Sequence, residues 1–164
     1  MTVYGKRLEN LRSRMASANI DAVLVTKRVN YMYLSGFTGT AAILFISRER
    51  AALLTDFRYV EQAAMQAPDY ETVRYVTDQY GEINRLVESE GIKRLAFEDC
   101  HLSYKQYTQY SEKLKVDEFV PLGGMIEELR SVKDETEISL IRKAVDIADE
   151  AFSHILGVIR PGIT

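Results

Sequence analysis

The 164-residue chain is 46% hydrophobic and 27% charged, enough apolar material for one packed domain and too much for an intrinsically disordered one. Its formal charge is −3 with Lys and Arg scattered along its length, so it lacks the concentrated cationic footprint of a nucleic-acid or anionic-membrane binder. Cys100 is the only cysteine, which excludes an internal disulfide and fits a reducing, cytoplasmic setting; no apolar run approaches the roughly 18 residues of a membrane span, and the N-terminal segment has no signal-peptide core.

Tyr4, Leu8, Leu11 and Met15 recur at helical spacing and predict an amphipathic first helix that stops near Asn19. Asp21 to Val25 reads as a short buried strand, and Asn30 to Leu34 as one helical turn closed by Ser35 and Gly36. Beyond the Gly-Phe-Thr-Gly turn, Ala41–Ile46 and Ala51–Leu54 are apolar runs separated by Ser-Arg-Glu-Arg, the pattern of an antiparallel hairpin. Asp56 stands where a helix N-cap would, with Val60, Ala63, Ala64 and Ala67 on one face of a helix that Pro68 ends. A strand at Thr72–Val76, a helix carrying Ile83, Leu86 and Val87 up to Gly91, and a strand at Arg94–Phe97 follow. Ser103 then caps a tyrosine-rich helix, and Val116–Val120 is a weaker last strand. Strands alternating with helices define an α/β fold: a single layered domain with a mixed β-sheet flanked by helices.

The tail has a different character. Met125, Ile126 and Leu129 suggest a short helix ending near Ser131. Asp134 then opens a long helix, with Glu137 in capping-box position. Ile138, Ile141, Val145, Ala148, Phe152, Ile155 and Ile159 form an apolar stripe, widened by Leu140, Ala144, Ile147 and Ala151, and so broad a face needs a substantial surface to cover it. Only Gly-Ile-Thr follows Arg160-Pro161, so the sequence reads as stopping where a further element should begin. Residues 1–130 are assigned to the α/β domain and 131–164 to a linker and long helix.

Few residues advertise chemistry. Gly36 to Thr40 lacks the Gly-Lys-Ser/Thr ending of a phosphate loop and reads as a tight turn; no dinucleotide fingerprint occurs. In Asp56-Phe57-Arg58-Tyr59, Asp56 is expected to cap a helix, Phe57 to staple the turn to the core and Arg58 to pair with a nearby acid. His101 and His154 stand far apart without ligand-like partners, and Glu98-Asp99-Cys100-His101 reads as a strand-to-helix turn, since soft Cys beside hard carboxylates is an unusual donor set. No catalytic and no metal-ligating residue is assigned. Tyr104, Tyr107 and Tyr110 suggest a packing surface or subunit interface.

Three segments, in order, carry a resemblance: NYMYLSGFTGT (30–40), LLTDFRYVEQA (53–63) and LRSVKDETEISLIRKA (129–144), with PGIT beyond. Together they resemble the amino-terminal domain and linker of the creatinase, prolidase and aminopeptidase P superfamily, most like the short bacterial Xaa-Pro peptidases. The resemblance implies a non-catalytic domain joined to a missing C-terminal catalytic domain of pita-bread fold, whose two divalent metals (Mn, Co or Zn) are held by two Asp, one His and two Glu. Those ligand motifs are absent from this sequence, so no cofactor is expected in it. It further implies a homodimer in which the Gly36–Thr40 loop reaches a partner subunit's active-site mouth. Phe37 would then supply apolar wall, Thr38 and Thr40 hydroxyls, and Arg58 a bidentate partner for a peptide substrate's carboxylate. The parent enzyme would hydrolyse bonds next to proline. Rival readings are a free-standing α/β module that binds a small molecule or protein, a creatinase-like amidinohydrolase, or a relative that has lost its metals.

Overall fold

In the computed structural model, which describes residues 2–163, the first periodic stripe forms α1 (Val3–Ser17) and buries Leu8, Leu11 and Met15. Thr2 Oγ1 caps it by accepting from Gly5 N at 2.8 Å. Asn19 adopts the left-handed φ of 54° that turns the chain out of the helix, while Ile20 N returns to the Met15 carbonyl. β1 (Ala22–Val25) is buried on both faces because it lies inside the sheet. α2 (Arg28–Ser35) follows and ends on left-handed Gly36. The two apolar runs form the expected hairpin, β2 (Ile43–Ser47) with β3 (Ala51–Thr55), in register Ile46↔Ala51 to Ile43↔Leu54.

The remaining elements are α3 (Val60–Gln66), β4 (Glu71–Arg74), α4 (Tyr80–Glu90), β5 (Arg94–Phe97), α5 (Tyr104–Lys113), β6 (Glu118–Pro121) and α6 (Met125–Ser131). The strands form one mixed sheet in the order β4-β3-β2-β1-β5-β6, antiparallel across β1/β2 and β2/β3 and parallel elsewhere. The period-2 alternation of the strands divides the core in two. Val23, Val25, Leu44, Ile46, Leu53 and Ala96 face one way, with Leu11 of α1, Leu34 of α2, Ala63 of α3 and Ile126 of α6. Ala22, Leu24, Phe45, Leu54, Val73 and Leu95 face the other way, with Ile83, Leu86 and Val87 of α4 and Tyr110 of α5. Each large side chain so enclosed contributes roughly 1.5–3 kcal/mol.

The chain divides into two compact units between Leu129 and Arg130. The second contains α7 (Glu135–Val158), opened by the expected capping box: Glu137 N donates to Asp134 Oδ1 at 2.9 Å, and Asp134 N donates to Glu137 Oε2 at 3.1 Å. None of its residues is buried, and Leu140, Ile147 and Phe152 are each more than 60% exposed. Among the described residues no helix is long and apolar enough to cross a membrane.

Candidate functional site

β2 alone opposes the direction of the other five strands, so one sheet edge collects five carboxyl ends together with the loop that enters β2. In open α/β sheets this is the edge where ligands bind. Every site residue singled out in the sequence lies on segments at this edge: Phe37, Thr38 and Thr40 on the loop between α2 and β2, and Arg58 on the turn after β3.

The loop is built around Phe37, which is fully buried. Its ring lies 6.2 Å from that of Tyr31 and meets Tyr59 edge-on at 5.9 Å. Phe37 therefore belongs to the domain's own core, and it offers no apolar wall to a ligand at this surface. Gly39 folds over the same ring so closely that a Cβ there would sit 2.3 Å from Phe37 Cζ. Thr38 and Thr40 flank that glycine and are both exposed. Thr38 Oγ1 donates to Gln66 Oε1 at 3.1 Å and accepts from Gln62 Nε2 at 3.1 Å, while Thr40 Oγ1 pairs with the Tyr59 hydroxyl at 2.8 Å.

On the neighbouring turn, Arg58 Nε and Nη2 grip both oxygens of Asp56, at 3.0 and 2.6 Å. Hydrogen bonds from that guanidinium hold the Asp56 carboxyl below its ordinary range. The sequence expectation of an acid partner for Arg58 is met by its own neighbour. An incoming carboxylate must either displace Asp56 or use the Nη1 side of the fork. Asp56 does not cap α3: it accepts from Arg58 N at 2.9 Å, and the helix starts only at Val60. Phe57 is 71% exposed and belongs to neither cluster of core side chains, so the expected staple to the core is not formed.

The same edge holds a cluster that sequence reasoning missed. Glu98, only 5% exposed, follows β5 and accepts from Thr26 N, Lys27 N and Thr26 Oγ1 through Oε2, at 2.6, 2.7 and 3.2 Å. Its Oε1 accepts from Asn30 Nδ2 at 2.7 Å, and the same amide donates to Glu127 Oε1 at 2.8 Å, where Lys27 Nζ also arrives at 2.8 Å. Burial alone would push the Glu127 carboxyl up, but the bonds from Lys27 and Asn30 outweigh it and hold it below its usual range. Glu98 thus ties β5 to the start of α2, and Asn30 extends the tie to α6. The available sequence signal was a carboxylate directly after the apolar run Leu95-Ala96-Phe97.

Among the described residues no three His, Cys, Asp or Glu side chains converge to hold a metal ion. The residues present therefore do not fit the metal pair implied by the resemblance, and no reaction step passes through them. A cleft of about 530 Å³ opens at the opposite sheet edge, beside Arg12, Asp21, Ser47 and Glu90. These four side chains are engaged with the domain itself: Arg12 Nε donates to the Ser47 carbonyl, Ser47 Oγ to Glu90, and Asp21 accepts from Lys93 N and Arg94 N.

Fold and edge together define a mixed-sheet α/β domain with an ordered polar loop at its carboxyl edge. The chain belongs to the creatinase/prolidase N-terminal domain family, whose sequence model matches residues 7–132. It is 40% identical over 96% of its length to an uncharacterized peptidase of Bacillus subtilis, YqhT, and 31% identical over 96% to the Xaa-Pro dipeptidase of Pyrococcus furiosus. It spans less than half of each of these relatives, 45% and 44%. Among solved structures, the Xaa-Pro dipeptidase from Bacillus anthracis matches with a TM-score of 0.93 at 42% identity, over 98% of this chain and 45% of that one. The N-terminal domain of the cytoplasmic peptidase PepQ from Mycobacterium tuberculosis matches with a TM-score of 0.69 at 33% identity, over 76% of this chain and 98% of that one.

Proposed function

We propose that this chain is the non-catalytic N-terminal part of a metal-dependent Xaa-Pro peptidase, and that it governs substrate access and helps assemble a homodimer. The observation that carries this reading is the family match over residues 7–132 together with coverage of only 45% of an Xaa-Pro dipeptidase of closely similar structure. Two divalent metals, Mn, Co or Zn, would be held by residues outside this chain, where they would polarise the scissile carbonyl and activate water. The exposed apolar flank of α7 supports the same reading, because a stripe of that size is otherwise an association liability, and the remainder of the longer protein would cover it. A cytoplasmic setting is consistent with the free, exposed Cys100.

In this reading Thr38, Thr40 and Arg58 meet the peptide while Phe37 holds the loop from beneath. Arg58→Ala in the longer protein is expected to raise KM about tenfold for peptides with a free carboxylate, with kcat unchanged, as for lost ground-state binding. Measured KM and kcat for paired free and amidated peptides check this. An equal fall in kcat and kcat/KM would mean that the domain acts in the transition state, against the proposal.

A further inference from the structure

We propose that the 37–41 loop is a preorganised recognition element rather than a closing lid, with Gln66 of α3 as its principal positioning residue. The functional half of this inference rests on the peptidase reading above; the structural half does not. Exposed loops ordinarily satisfy their polar groups with water. Here five consecutive residues are each tied to a side chain. Phe37 N donates to Ser35 Oγ, Tyr31 OH donates to the Gly39 carbonyl at 2.8 Å, and Thr55 Oγ1 donates to the Ala41 carbonyl at 2.6 Å. Thr40 pairs with Tyr59, and Thr38 is held at every polar atom: its N and Oγ1 donate to Gln66, and its carbonyl accepts from Arg28 Nη2 at 3.0 Å. The tip is thus fixed from α2, β3 and α3 at once, with the buried Phe37 ring beneath it.

The hydrogen-bond directions give this surface a chemical preference. Gln66 Oε1 accepts from Thr38 N, Thr38 Oγ1 and Gln62 Nε2, so its carboxamide is oriented with the oxygen inward and the Nε2 hydrogens outward. In the Thr40–Tyr59 pair one hydroxyl donates to the other, so one O–H always remains to offer. Beside the Arg58 guanidinium the loop surface itself presents neutral donors, and it fits an acceptor: a peptide carbonyl or terminal carboxylate. Fixing such donors before binding removes the ordering cost that a mobile loop would incur.

Backbone relaxation measured by NMR on this chain tests the structural half alone. Order parameters for Phe37–Ala41 are expected to equal those of β2, near 0.85 for rigid backbone. Gln66→Ala should lower them at Thr38 and Gly39, while Gln66→Glu, which retains the acceptor oxygens, should restore them. Wild-type values below about 0.6 would overturn the proposal. Kinetics of the longer protein test the functional half. Gln66→Ala should raise KM about threefold to tenfold with kcat retained, and Gln66→Glu, which trades the outward N–H donors for a carboxylate oxygen, should not recover that loss even though it restores the order of the loop. Wild-type Xaa-Pro turnover with an unchanged KM in Gln66→Ala would overturn the recognition role, whereas no turnover by the wild-type longer protein would overturn the peptidase reading instead.

Discussion

Glu98→Leu is expected to lower the stability of the first unit by about 2–4 kcal/mol, the cost of leaving buried donors without acceptors. The carboxylate is 5% exposed and accepts from two backbone N–H groups, a hydroxyl and a carboxamide. Leucine fills similar volume, so the loss is one of hydrogen bonds rather than of packing. Glu98→Gln should be intermediate. Its oxygen can serve Thr26 and Lys27, but its NH2 then confronts the Asn30 NH2, and flipping Asn30 would turn its oxygen toward Glu127. Denaturant unfolding midpoints measure all three proteins. A Glu98→Leu midpoint equal to wild type would show that the cluster is solvated in solution.

Gly39→Ala should cost about 1–3 kcal/mol through overpacking. Its new Cβ would lie 2.3 Å from Phe37 Cζ, 2.7 Å from Cε1 and 3.0 Å from Tyr59 Cδ1. The Phe37 ring cannot simply swing aside, because it is fully enclosed and Tyr31 and Tyr59 pack against it. Relief must come from moving the loop backbone, which also displaces Thr38 and Thr40. Gly81→Ala is the control: Gly81 lies in α4 with open space around its Cβ position, so alanine there should be neutral or stabilising by about 1 kcal/mol. The unfolding midpoints of the two variants, compared with wild type, check the contrast.

These effects show which information was local. The hairpin, the α1 stripe, the left-handed exits at Asn19, Gly36 and Gly91, and the Asp134 capping box were all readable, because each is encoded within a few residues of itself. The family segments 30–40 and 53–63 likewise supplied a loop and a turn that meet at the carboxyl edge of the sheet. The placement of their aromatic residues was not readable. Phe37 and Phe57 both sit in short polar, turn-forming stretches, yet one is enclosed and the other 71% exposed. The difference arises from Tyr31 and Tyr59, which approach Phe37 from other elements. Asp56 looked like a helix cap because Asp caps helices and forms local turns by the same hydrogen-bonding chemistry, and here the Arg58 guanidinium captured it. Glu98 was read only as part of a strand-to-helix turn, because its donors lie about seventy positions earlier, a pairing that only the parallel β1/β5 neighbourhood creates.

In the proposed reading this domain binds and positions, while the chemistry belongs to the remainder of a longer enzyme. Assaying Xaa-Pro dipeptides with this chain and with the longer protein, each supplied with Mn²⁺, Co²⁺ or Zn²⁺, tests it most directly. Turnover by the longer protein and none by this chain is the expected result. Metal-stimulated hydrolysis that persists through repurification and follows this chain alone would contradict it.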